Sequence, residues 1–146
     1  HAMELLDGEL TVFEALEEQF PRAGQGSLRS LAGCFGFSGA DVDKRCRVLS
    51  GGEKARLVMA GMLYDPPNFL VLDEPTNHLD MATKEMLITA LAQYDGTMLF
   101  VSHDRHFLAA LSNRVLEVTP GGIQDYGGGY SEYVARTGQE APGLRA

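Results

Sequence analysis

The sequence predicts an α/β fold in which a helical subdomain is followed by a parallel βαβ unit and a C-terminal β-hairpin. Three observations carry this reading. Up to Tyr64 the apolar residues recur at spacings of three and four, the helical period. At Phe69 the pattern changes to short continuous apolar runs, 69–72 and 97–101, with a helical stretch between them. Further on, two short segments flank Pro120-Gly121-Gly122, as in a hairpin.

The elements follow in order. Leu10, Val12, Phe13, Leu16 and Phe20 predict a short helix ended by Pro21, and 21–27 reads as a loop. Ser27 to Phe35 is helix-like, and Ser38 caps a short helix reaching Arg45. The clearest helix is 53–64. It opens at Ser50-Gly51-Gly52-Glu53 and stops before Asp65-Pro66-Pro67, where a helix cannot continue. The run 69–72, bounded by Asn68 and Asp73-Glu74-Pro75, predicts a strand buried on both faces. Met86, Leu87, Ala90, Leu91 and Tyr94 give a helix over 81–94. Asp95-Gly96 turns the chain into a second buried strand, 97–101, which completes a right-handed βαβ unit. Asp104 caps a helix to about Leu111, the hairpin pairs 114–119 with 123–126, and a short helix covers 131–135.

A chain of 146 residues has room for one domain. Its expected segments are an expression-tag scar at 1–3, a helical subdomain at 4–50, an α/β half at 51–136 and a frayed tail at 137–146. The net charge of −8 disfavours gripping nucleic acid by bulk electrostatics, although Arg45, Arg47, Lys54 and Arg56 leave room for a local basic stripe. Cys34 and Cys46 lack the spacing of a metal knuckle or a disulfide framework and read as reduced thiols of a cytoplasmic protein. No apolar run is long enough to span a membrane, and the start lacks the regions of a signal peptide.

Three short stretches carry chemistry. In FLVLDE, 69–74, a core strand ends in two adjacent carboxylates at the sheet edge where α/β proteins bind ligands. Asp73 can hold Mg²⁺ through water, and Glu74 can orient a water for in-line attack on a γ-phosphate. The bland alternative is a strand ending in two solvated acids. In LSGGE, 49–53, a hydroxyl and glycine N–H groups open a helix, where unpaired donors and the dipole favour an anion. Ser50 and Glu53 also form the S-x-x-E pattern of a capping box, which would need neither Gly51 nor Gly52. In Ser102-His103-Asp104, His103 follows the second strand and can contact a γ-phosphate or the attacking water; an isolated histidine there is more often structural.

Their order and spacing resemble the ATP-binding cassette ATPases: LSGGE as the signature motif, FLVLDE as Walker B, Leu79-Asp80 as the D-loop and His103 as the switch histidine. The string Glu74-Pro75-Thr76-Asn77-His78-Leu79-Asp80, with SGGEKARL, FVSHDRHFL and GGGYSEY, is similar to the ABC-F subfamily. These are tandem-cassette ATPases without transmembrane domains, many of which act on ribosomes. The resemblance runs from about Leu10 to Val134, and 28–57 looks more like the second cassette of a pair. It implies ATP and Mg²⁺ as cofactors, a second cassette as partner and the ribosome as a partner of the whole protein. It also implies roles: Asp73 for Mg²⁺, Glu74 for water activation, His103 for γ-phosphate sensing, Ser50, Gly51, Gly52 and Glu53 for the opposite nucleotide, and Asp80 as the link between sites.

The chain contains no Gly-Lys dipeptide and hence no G-x-x-x-x-G-K-[ST] loop to cradle phosphates. The family's Q-loop glutamine and A-loop aromatic would lie ahead of residue 4, with Gln19 and Gln25 too late to serve. The expectation is the latter part of a cassette: a partial ABC ATPase fold, inactive alone, that self-associates through strand edges lacking their neighbours. Two alternatives stand beside it. One is a head-lobe fragment of a chromosome-maintenance or DNA-repair ATPase, which EPTNHLD and the lack of heptads disfavour. The other is a non-catalytic ribosome-contacting module, which the charge of −8 disfavours.

Overall fold

The computed structural model describes residues 6–77 and 79–141. The expected tag scar at 1–3, His78 and the tail from 142 lie outside the described residues. The chain divides into two compact units. Among the described residues, the first comprises 6–66 with 79–87, and the second comprises 67–77 with 88–141.

The first unit is helical. Helix α1 (Val12–Gln19) starts at Thr11, whose hydroxyl accepts the Glu14 N–H at 3.1 Å while Glu14 Oε1 accepts the Thr11 N–H at 3.0 Å. This reciprocal box satisfies two donors that a helix start leaves open. Helix α2 (Gln25–Cys34) begins two residues ahead of Ser27 and ends before Phe35. The helix expected over 38–45 is a tighter, 3₁₀ turn over Gly39–Asp43, followed by another over Cys46–Val48. Helix α3 (Gly51–Tyr64) is the longest. Gln19 Nε2, at the end of α1, donates to Gly61 O of α3 at 3.2 Å. Val12, Leu16, Leu28, Ala32, Phe37 and Leu57 form the buried interior of this unit.

The segment before α1 runs beside 44–46: the Val12 N–H donates to Lys44 O at 2.9 Å and the Cys46 N–H to Leu10 O at 2.8 Å. Glu9 then pairs with both Arg45, at 2.9 Å, and Arg47, at 3.1 Å. One carboxylate thus offsets two of the four cations of the basic stripe that the sequence allows. Helix α4 (Met81–Ala92) has its first seven residues in this unit and the rest in the other.

In the second unit, β1 (Phe69–Asp73) and β2 (Thr97–Val101) pair in parallel, from Phe69 opposite Thr97 to Asp73 opposite Val101. Helix α5 (Arg105–Leu111), strands β3 (Arg114–Thr119) and β4 (Gly122–Gly127) and helix α6 (Tyr130–Thr137) complete it. In the hairpin Thr119 stands opposite Gly122, so the loop is Pro120-Gly121. Strand β4 opens one residue ahead of Ile123, at Gly122, whose φ of 129° suits a residue without a side chain.

The expected burial of the strands is also corrected. The strands predicted as buried on both faces are covered on one. Leu70 is 5% exposed, but Phe69, Val71, Leu99 and Val101 are 47–65% exposed. A continuous apolar run anticipates a layer on each side of the sheet, and the unit packs one against it. Helix α6 extends past the expected 131–135 to Thr137 and ends on left-handed Gly138. The described residues after it are tied down at Ala141, whose N–H donates to the Tyr130 hydroxyl at 2.9 Å and whose O accepts from Arg105 Nε at 2.6 Å.

Candidate functional site

The residues singled out by the sequence fall into two groups, one in each unit. In the second unit, the parallel ladder delivers Asp73 to the C-terminal end of β1. The Glu74 N–H extends the ladder by one bond, to Val101 O at 2.8 Å. The backbone of Glu74 then adopts φ 47°, the left-handed region, where a non-glycine residue costs on the order of 1–3 kcal/mol. The Asn77 N–H, donating to Glu74 O at 3.2 Å, closes a turn with Pro75 at its second position.

This turn brings the Glu74 carboxylate to His103, which follows β2. Glu74 Oε1 is hydrogen-bonded to His103 Nδ1, and Oε2 accepts the His103 N–H at 3.4 Å. The flanking residues spend their side chains on backbone. Ser102 Oγ accepts the Asp104 N–H at 3.0 Å, and Asp104 Oδ1 caps α5 by accepting from His106 and Phe107, at 3.0 and 3.2 Å. His103 is thereby held from both sides with 53% of its side chain exposed, against 22% for Glu74. A carboxylate facing Nδ1 assigns the proton to that nitrogen and leaves Nε2 as the one free to accept or donate outward.

In the first unit, Ser50 begins α3 with a complete capping box. Its Oγ accepts the Glu53 N–H at 3.1 Å, and Glu53 Oε1 accepts the Ser50 N–H at 3.1 Å. The Ser50 N–H holds the Glu53 carboxyl below its ordinary range against the opposing effect of burial; the Ser50 hydroxyl, Lys44 and Arg56 add to the lowering. The capping reading of S-x-x-E is therefore realised, and it leaves the glycines unexplained. A Cβ on Gly51 would meet nothing within 4 Å, one on Gly52 only Thr83 Oγ1 at 3.7 Å, and neither has a positive φ. The N–H groups of Gly51 and Gly52 lie in the first turn, where no intrahelical acceptor exists.

Asp80 opens α4 in the same way: its Oδ1 accepts the Thr83 N–H at 2.7 Å. The Thr83 hydroxyl, then the Thr83 N–H, hold the Asp80 carboxyl below the usual aspartate value, and Arg56 adds to this. Asp80 thus lies beside α3, the helix that Ser50 begins.

The structure brings Glu74 and His103 into contact, and it sets Asp73 one residue before them. It brings Ser50 and Glu53 together, and it places Gly52 and Asp80 around Thr83. Thr83 itself was missed by the sequence reading, although an Asp-x-x-Thr pattern at a helix start was there to find it. Arg56 was read only as part of a basic stripe. It instead packs over the Phe37 ring at 5.6 Å, and the guanidinium leaves no room for a side chain on Gly36, whose φ is 89°. Among the described residues no group of three or more His, Cys, Asp and Glu could hold a metal ion. A lone carboxylate such as Asp73 suits Mg²⁺, which keeps much of its water and takes its other ligands from phosphate.

A family model described as "ABC transporter" matches residues 4–77, just over half of the 146. The probable ATP-binding protein YbiT of Escherichia coli O157:H7 is 44% identical over 136 residues, 92% of this chain and 26% of that protein. The putative ATP-binding protein YdiF of Bacillus subtilis (strain 168) is 47% identical over 125 residues, covering 86% and 20%. ABC transporter F family member 5 of Arabidopsis thaliana is 43% identical over 133 residues, covering 91% and 19%. The chain thus spans about a quarter or less of these relatives' length. In fold it is similar to the ATP-binding cassette MJ0796, solved as a dimer in a post-hydrolysis state with ADP and Pi, at a TM-score of 0.65 and 22% identity over 84% of this chain and 59% of that one. No helix among the described residues is long and apolar enough to cross a membrane. The chain belongs to the ABC transporter family, with F family members among its relatives.

Proposed function

We propose that this chain is the signature and Walker B part of an ABC-F ATPase cassette, which hydrolyses ATP where two cassettes meet. The observation that carries the reading is the Glu74–His103 pair at the C-terminal edge of a parallel strand pair. That is where an α/β sheet meets a ligand. The pair combines an acceptor able to take a water's proton with a histidine whose second nitrogen is free.

The residues divide the work. Glu74 orients the attacking water and accepts its proton. His103, fixed by Glu74 through Nδ1, presents Nε2 to the terminal phosphate and reports its presence back to the Glu74 carboxylate. Asp73 would hold Mg²⁺ through its water shell, and the ion, when bound, neutralises phosphate charge. Ser50, Gly51, Gly52 and Glu53 serve the nucleotide of the second cassette. Two first-turn N–H groups without a local acceptor, on glycines whose missing side chains nothing else fills, suit close approach of a phosphate. Asp80 completes that face. The segments follow the same division, 4–50 leading to the signature turn and 51–136 carrying the rest.

The parent protein, on this reading, works in the cytoplasm and couples cassette closure to the ribosome in translation. That assignment follows from the resemblance to the ABC-F subfamily, whose members are among the chain's relatives. The chain by itself has no Gly-Lys loop to cradle phosphates. It is expected to show no hydrolysis, and its exposed β1–β2 face favours self-association. Calorimetry with MgATP tests the first point: stoichiometric binding at micromolar concentration would overturn it. Light scattering tests the second, and a monodisperse monomer would contradict it. Co-sedimentation of the parent with ribosomes, present with ATP and a Glu74→Gln substitution and lost with ADP, tests the last.

A further inference from the structure

Thr83 sits where two first turns meet. It is the third residue of α4 and 4% exposed, a buried hydroxyl in a turn that is otherwise open to solvent. Its N–H is bonded to Asp80 Oδ1 at 2.7 Å. Its hydroxyl oxygen lies against the backbone of Gly52 across the gap between α4 and α3, so that a methyl group on Gly52 would touch it at 3.7 Å. One turn further along α3, Arg56 comes near enough to Asp80 to draw its carboxyl downward. The Asp80 turn and the Ser50–Glu53 turn therefore meet at Thr83, with the Arg56 charge close by.

We propose that Thr83 is a positioning residue that couples Asp80 to the signature turn, so that the two approach a nucleotide as one surface. The mechanism is mechanical. The Asp80 carboxylate anchors Thr83 by its N–H, and the Thr83 hydroxyl in turn sets how far the first turn of α3 can move toward α4. Gly52, having no side chain, passes that position directly to the backbone N–H groups of the turn. Side chains of other sizes act differently at this contact. Serine keeps the hydroxyl and loses only the methyl group, whereas valine keeps the volume and loses the hydroxyl. Asp80, which completes the signature face in the proposed function, would act on the signature turn of its own unit through this residue. The inference rests on that reading for its purpose and on the Thr83 contacts for its existence.

The test is a coupling measurement on the ¹⁵N-labelled 146-residue chain, read at the Gly51 and Gly52 amide resonances. Asp80→Asn is made in the parent sequence, in Thr83→Val and in Thr83→Ser. The expected result is that Asp80→Asn moves the Gly52 resonance in the parent and in Thr83→Ser. In Thr83→Val the movement falls about fivefold or more, as for contacting residues whose effects are not additive. A response of equal size in Thr83→Val overturns the proposal, because the signal would then travel without the hydroxyl. So does a Thr83→Ser chain that behaves like Thr83→Val, because loss of packing would then explain both. A merely structural role would alter stability in the single variants without changing how Gly52 answers Asp80. The outcome is independent of hydrolysis: if Glu74→Gln left the parent enzyme's turnover intact, the proposed function would fail while the coupling could still be measured.

Discussion

The two groups of functional residues are built on opposite principles. At Ser50–Glu53 the local chemistry is closed: hydroxyl and carboxylate satisfy each other's backbone, the helix is capped, and the glycines sit in relaxed backbone, Gly51 with open space beside it and Gly52 with only Thr83 near. At Glu74–His103 the local chemistry is open. A non-glycine residue holds a left-handed backbone, its carboxylate reaches across to another strand's end, and the histidine is half exposed. A self-satisfied turn is suited to presenting backbone groups to something outside. A strained carboxylate held on a histidine is suited to moving a proton and to being displaced. The difference teaches where substitution should hurt chemistry and where it should hurt only the fold.

The largest effect is expected where the two demands conflict. Glu74→Gln keeps the shape of the side chain and removes its basicity. Turnover by the parent ATPase should fall by about 10²–10⁴, the usual worth of a positioned general base, while ATP is still bound. His103→Ala frees the carboxylate without removing it, and the loss should be smaller. Equal losses in the two variants would mean that the pair acts as a unit. A steady-state assay with substrate titration separates these outcomes.

Next comes the strain itself. Glu74→Gly relieves a left-handed residue, so the chain should gain on the order of 1 kcal/mol in urea unfolding even though the proposed catalyst is gone. A loss of stability would show that the bonds to His103 outweigh the backbone cost, and the Glu74 turn would then be as self-satisfied as the Ser50 turn. At the other turn the sign reverses. Ser50→Ala should cost about 1 kcal/mol by uncapping α3, and Ser50→Thr should recover most of it.

Much of this contrast was legible in the sequence. Ser50 and Asp104 announce helix starts because a cap is a local event, settled within three residues. The paired strands were readable from two apolar runs, and the Glu74-Pro75 sequence marked the end of the first. What could not be read depends on residues far apart in the chain. No local signal says that Glu74 turns left-handed to meet His103, 29 positions on, or that Thr83 lies against Gly52. The exposure of Phe69, Val71, Leu99 and Val101 was not readable either, because an apolar strand records the layers it is suited to, not those packed against it in this chain. Arg45 and Arg47 likewise looked like a binding stripe until Glu9 was found between them.

The smallest effect concerns pH and sharpens the comparison most finely. Glu53 is held below its ordinary range chiefly by the Ser50 N–H, so it favours the folded state when ionised. That contribution is fully present above the carboxyl's unfolded value and is lost as pH falls through the depressed folded one. Stability of the chain should therefore drop across the acid side of the normal glutamate range, and Glu53→Gln should remove part of the slope. The residual slope belongs to carboxyls lowered in the same direction. Among them are Glu14, through the Thr11 N–H, and Asp80, through the Thr83 hydroxyl. Urea midpoints of the chain and of Glu53→Gln, taken at pH 3 to 7 (~one-unit steps, spanning the reference carboxyl values), give the difference directly. If the two curves stay parallel, the Ser50–Glu53 box contributes nothing as an ion. The turn would then be held by its neutral hydrogen bonds, and the closed character assigned to it would rest on Ser50 alone.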